Sequence, residues 1–232
     1  MEDSPAVATA PAVLRHDVDD SYPSSRIVLF GAIVAFGLVV DLASKAAVFA
    51  QLGYPHRSSD WTWGTPLLWG RFDIRLTTSF NQGALFGLGQ GFTPVFALLS
   101  VVAVGFVLWW LFKKGEARSL CLTVALGLVS AGALGNLYDR LWLHGCRTLE
   151  GMPLTGVRDF LDCKIPWIVF MSPEGRFAPT LVAQWSWPIF NLADSFLVCG
   201  AALLLAQSLF APRPAEVAVP RGALSEPRAA GA

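Results

Sequence analysis

Three aspartates stand in or beside long apolar runs: Asp139 in GNLYDR, Asp159 in GVRDF and Asp194 in FNLADS. Two carboxylates that share one proton can activate a water with one group and protonate a leaving group with the other. Like charge at close range raises one pKa, so such a pair holds a single proton near neutrality. Other hydrolytic routes are poorly supplied. The three histidines, His16, His56 and His144, all fall outside the apolar runs, so a serine within a run has no base. GLVSAG lacks the spacing of a nucleophile elbow. No Cys or His pair has zinc spacing, and paired-carboxylate chemistry requires neither metal nor cofactor. On these grounds any two of the three aspartates are candidates.

Each cluster has polar company at helical spacing. Asn136, Asp139 and Arg140 share one face, and Asn191, Asp194 and Ser195 share another in the same way. Asp41 and Lys45 in DLASK lie at i, i+4, the spacing of a structural ion pair, with Lys45 within reach of lipid head groups. FNQGALFG carries Asn81 and Gly83 in a glycine-rich turn. Asp162, just beyond Asp159, has the setting of a solvated loop residue. A carboxylate at the centre of a spanning helix costs about 2.5–3.5 kcal/mol, so such groups face a bundle interior or a wet cavity.

The elements that must position these groups are membrane helices. Four apolar stretches, roughly 26–49, 92–112, 118–138 and 185–210, approach or exceed the length needed to cross a bilayer. Charged residues make up only 15% of the chain, against about 25% in soluble domains. The net charge of zero gives nucleic acid no hold. Residues 1–25 and 212–232 have the composition of disordered tails around a domain at 26–211, and the first lacks the basic region and short apolar core of a cleavable signal. KKGEAR (113–118) concentrates basic residues in a very short link, which places that link and both tails in the cytoplasm.

The two long connections then face outward. RFDIRLT (71–77) alternates apolar and charged residues, the pattern of a half-buried strand in a sheet lying on the membrane over about 53–91. An insertion over about 145–184 has the pattern of a hairpin: PWIVFM, a SPEGR turn, then FAPTLV. Cys146 and Cys163 fall in this region, and their spacing leaves a disulfide open. The expected fold is a membrane all-α bundle of four transmembrane helices, with a small extracytoplasmic β-sheet cradle and a hairpin-like insertion.

DLASK, NQGALFG, GNLYDR, GVRDF and WPIFNLADS, in this order over residues 26–210, resemble the motifs of the lipoprotein signal peptidase (signal peptidase II) family of bacterial membrane aspartic peptidases. The resemblance implies cleavage of prolipoproteins on the N-terminal side of a diacylglyceryl-modified cysteine, at the outer face of the cell inner membrane. It implies Asp159 and Asp194 as the catalytic pair. Asp139 then supports the site with Asn136 and Arg140. Asn191 bonds substrate or orients the pair, and Asn81 and Gly83 belong to a loop near substrate. The implied partners are the lipidated precursors and membrane lipids, and the chain is expected to be a monomer. Tyr138 stands where an aliphatic residue is usual, and the connections carrying WTWGTPLLWG and the hairpin are long for the family. A rival reading is a small transporter or channel subunit whose intramembrane Asp residues bind cations or protons. It expects internal repeats or helices broken at the midplane.

Overall fold

The computed structural model describes residues 23–67, 70–83, 89–169 and 180–210. Four helices in it are long and apolar enough to cross a membrane: α1 (Ser24–Leu52), α2 (Thr93–Leu108, prolonged by a π-turn to Lys113), α3 (Leu120–Arg140) and α4 (Leu192–Phe210). Four strands form one antiparallel sheet in the order β1 (Trp63–Leu67), β2 (Gly70–Asn81), β3 (Val157–Val169) and β4 (Thr180–Ser186). The 1–22 and 211–232 tails lie outside the described residues, as do the SPEGR turn and most of the glycine-rich segment after Gly83.

α3 is the centre of the bundle and packs against each of the other three helices. Its most apolar window is 56% buried within the protein, against 11–17% for the others, whose exposed faces carry Phe36, Val39, Leu98, Val102, Val198 and Leu205. Without a hydrophobic drive between helices in lipid, close packing of small residues must hold them. A Cβ on Gly132 would strike the Ala193 carbonyl, and one on Gly200 would come within 2.7 Å of the Ala125 carbonyl, so α3 and α4 touch backbone to backbone. A Cβ on Gly135 would meet the Asp41 carboxylate, so the absence of a side chain there makes room for a buried charge. Ser119 caps α3 by accepting a bond from the Leu122 amide at 3.2 Å.

The two ends of the bundle differ. Around the short link, Phe30, Val107, Leu111, Ala117, Leu122 and Leu126 form an apolar core. At the other end, Val48, Phe49 and Phe160 make a smaller apolar pad, with Leu76, Phe80, Leu161 and Leu192 against it. The sheet rests on this pad. Apolar Leu76 packs downward, while Arg75 pairs with Asp162.

Two expectations change and one open question closes. The cradle and the hairpin are not separate, because β2 pairs with β3 (Arg75↔Asp162, Leu76↔Leu161, Ser79↔Asp159) and β3 with β4. The last helix starts at Leu192 rather than near 185, because Thr180–Ser186 is used as a strand and Pro188 follows. Cys146 and Cys163 are both buried free thiols.

Candidate active site

Asp159 lies on β3, not in a loop, and is 2% exposed. Asn191 sits just before α4. What joins them is a backbone lock: Phe160 and Leu161 both donate their amides to the Phe190 carbonyl, at 3.0 and 2.8 Å, and Phe190 donates back to Leu161 at 3.1 Å. The residue after this lock is Asn191, whose Nδ2 donates to Asp159 Oδ1 at 2.6 Å.

Asn191 and Asp194 form a reciprocal cap at the start of α4. The Asp194 amide donates to Asn191 Oδ1 at 3.0 Å, and the Asn191 amide donates to Asp194 Oδ2 at 3.2 Å. This is the geometry of a capping box, with a carboxylate favourably placed in the first turn. A third amide of the same turn, on Ala193, donates to Asp41 Oδ1 from α1 at 2.9 Å. The other oxygen of Asp194 accepts from Asn136 Nδ2 of α3 at 2.8 Å. Asn191 Nδ2 also reaches Asn136 Oδ1, at 3.2 Å. Two asparagines thus hold the carboxylates of Asp159 and Asp194 on one hydrogen-bonded frame.

Burial and the charge of Asp194, in that order, push the Asp159 carboxyl up to about 8. Bonds from Asn191 and Asn81 and the charge of Lys45 oppose the shift without cancelling it. Asn81, the last residue of β2, uses its Oδ1 to accept the Gly83 amide at 3.0 Å, which leaves its side-chain amide free to donate to Asp159. Asp194 is only half-buried, so the pair has a closed member and an open one.

Beneath it lies a second charged group. Lys45, fully buried, meets Asp41 Oδ2 at 2.7 Å, Asp139 Oδ2 at 3.1 Å and Asn136 Oδ1 at 3.1 Å. It points into the bundle and not toward lipid head groups. Asp139 is held in turn by Arg158, which donates its amide at 3.0 Å and its Nε at 2.9 Å, with its Nη2 also 2.9 Å away. Two acids and two bases balance, which is what burial demands.

Arg158, absent from the expected set, is therefore central. Its signal in the sequence was alternation: neighbouring side chains on a strand point to opposite sides, so Arg158 and Asp159 serve different clusters. Arg140 lies half-buried over the Phe96 ring, 5.7 Å from its centroid, and its charge acts on Asp194, Asp159 and Asp139. Tyr138 donates its hydroxyl to the Leu143 carbonyl at 3.1 Å. Asp162 is not a solvated residue: it is buried on β3 and accepts from Arg75 at 2.6 Å. Among the described residues no three His, Cys, Asp or Glu side chains converge as a metal site would need.

Four membrane-length helices, a sheet across one end and an acid-rich cluster at that junction define a polytopic membrane protein with a site at the edge of its bundle. The profile described as signal peptidase (SPase) II matches residues 33–210, and the chain belongs to that family, a family of peptidases. It is 41% identical over 188 residues to the lipoprotein signal peptidase of Rhodopirellula baltica, covering 81% of this chain and 74% of that one. The lipoprotein signal peptidase of Geobacter sulfurreducens is 34% identical over 185 residues, covering 78% and 91%. Two solved structures, each described as that of a bacterial membrane enzyme, are 25% identical with a TM-score of 0.54, covering 82% and 83% of this chain and 90% and 97% of theirs.

Proposed function

We propose that the chain is an aspartic endopeptidase that removes signal peptides from prolipoproteins, cutting N-terminal to a diacylglyceryl-modified cysteine. The relatives named lipoprotein signal peptidase support the substrate class. The observation that carries the chemistry is the unequal pair on one asparagine: Asn191 donates to buried Asp159 and exchanges bonds with half-buried Asp194.

With its carboxyl raised to about 8, Asp159 holds a proton at neutral pH. It is the acid that polarises the scissile carbonyl. Asp194 supplies the negative charge and takes a proton from the attacking water. As the tetrahedral intermediate collapses, the leaving amine gains a proton and the pair returns to its starting state. Arg140 and Asn81 border this space from opposite elements, where they hold the peptide and the acid. Asp41, Lys45, Asn136 and Asp139 fix the helices beneath.

The basic density of KKGEAR supports a short link in the cytoplasm and a site at the outer face of a bacterial inner membrane. The substrate is itself anchored in lipid and enters sideways between helices, and a single chain supplies every residue used. The transporter reading expects polar groups at the midplane. Here they gather beside the sheet, at one end of the bundle. The test is cleavage of a lipidated precursor in detergent or lipid by wild type, Asp159→Asn and Asp194→Asn. Loss of cleavage in both folded variants is expected, and near-normal turnover by either would sink the assignment.

A further inference from the structure

Between α3 and β3 the chain forms a tongue that the proposed chemistry does not use. Residues 141–145 make a tight turn, and Cys146–Leu154 folds back as a small hairpin. Leu154 donates to the Cys146 carbonyl at 3.0 Å, Thr148 to Met152 at 2.8 Å, and Gly151 to Thr148 at 2.9 Å. Arg147 fastens one arm: its Nη1 donates to the Gly151 carbonyl at 2.9 Å, and its guanidinium lies 4.7 Å from the centre of the Trp142 ring. Trp142 Nε1 donates to the Cys146 carbonyl at 3.0 Å.

This well-bonded element exposes its apolar residues. Leu149 at the tip is wholly exposed, Met152 is 63% exposed, and Leu141 and Leu143 at the base are more than half exposed. An internally bonded hairpin that projects its large aliphatic side chains outward is shaped for an apolar partner. Its position says which. Leu141, itself exposed, follows directly on Arg140, the last residue of a helix of membrane-spanning length, so the tongue begins where the membrane-crossing part of the bundle ends. A Trp–Arg pair behind an apolar tip is the composition of an element at the membrane–water interface.

We propose that residues 141–154 seat in the bilayer interface, with Leu149 and Met152 among the acyl chains of membrane lipids. The tongue is also tied to the site. Gln82 Nε2 donates to Thr155 Oγ1 at 3.2 Å, the His144 ring lies tilted against Phe80 with centroids 5.8 Å apart, and Gly156, at φ +123°, packs against the carbonyl of Asn81. Seating the tongue therefore fixes the height of the Asn81 strand end over the membrane.

The test places a nitroxide on Leu149→Cys or Met152→Cys in the full chain, in a Cys121→Ser/Cys199→Ser background that removes the exposed thiols. The protein is reconstituted in phosphatidylcholine vesicles. Collision with oxygen, which partitions into lipid, is compared with collision with a water-soluble nickel chelate. The expected oxygen-to-nickel ratio at both positions is several-fold higher than at Asp60→Cys, an exposed charged position. Because the label is itself apolar, the Met152→Cys measurement is repeated with Leu149→Asp added. The ratio should then drop toward the Asp60 value. Ratios equal to that of Asp60 in the parent protein, or no response to Leu149→Asp, overturn the proposal.

Discussion

Two charged clusters touch at the sheet end of the bundle, and they are built oppositely. In one, Asp41, Lys45, Asp139 and Arg158 form a closed set of two acids and two bases, each partner within 3.1 Å of the next. In the other, Asp159 and Asp194 are two acids on an asparagine frame with no base bonded to either oxygen pair among the described contacts. A closed set holds helices in place and has nothing left to give. An unbalanced pair keeps a displaced proton, which is what acid–base chemistry needs. The same residue type serves either end according to whether its charge is matched.

The sharpest way to break this contrast is to neutralise the open pair. Asp159→Asn and Asp194→Asn should each lower the cleavage rate by about a thousandfold or more, as removal of a member of a concerted pair does. Both variants should remain folded in detergent, so that the loss lies in the chemistry and not in unfolding. The next largest effect belongs to the closed set. Lys45→Met leaves Asp41 and Asp139 buried and short of a partner, which costs about 3–5 kcal/mol. Thermal denaturation in detergent should show a large fall, with activity lost through unfolding. A stable, inactive Lys45→Met would merge the two clusters into one.

pH sharpens the comparison further. Asp159, raised to about 8 chiefly by burial, must keep its proton to act as the acid. Cleavage should hold up to about pH 8 and decline above it, about tenfold per unit. Stability follows the sign of the same shift. A carboxyl raised in the folded state stabilises fully below its ordinary value of 3.8, and that contribution is lost as pH climbs toward about 8. The melting temperature of Asp159→Asn should therefore gain on wild type between pH 4 and pH 8. The smallest effect is expected at the sheet surface. Arg75, 38% exposed, pairs with buried Asp162, and because water reaches the arginine's side of the pair Arg75→Ala should cost about 1–2 kcal/mol, less than Lys45→Met. A large loss there would mean that the sheet, and not the closed cluster, fixes the site.

Much of this was legible in the chain. The four spans follow from apolar length, and the alternation of RFDIRLT marks β2. The gathering of Asn136, Asp139, Asn191 and Asp194 follows from helix spacing combined with an antiparallel bundle. What escaped was long-range pairing. β3 joins the cradle by hydrogen bonds to β2, and backbone pairing of residues as far apart as Asp73 and Lys164 leaves no local pattern. The start of α4 was legible in principle: Asn191-x-x-Asp194 is a capping pattern, but the apolar residues before it hid the boundary. Arg158 was masked by the aspartate beside it, because only the fold shows that the two face different clusters.

The brevity of α4 has a consequence of its own. Its 19 residues rise about 28 Å at 1.5 Å each, close to the roughly 30 Å thickness of a bilayer's hydrocarbon layer. The cap that starts this helix is also where Asp194 sits, so helix length sets how deep the proposed catalytic pair lies. A scissile bond joined to an acyl-anchored residue has a depth of its own, fixed by the glycerol level. Cutting requires the two depths to agree. Thickness of the surrounding lipid, varied through acyl-chain length in vesicles, should then tune turnover through a single optimum, with no change in any residue.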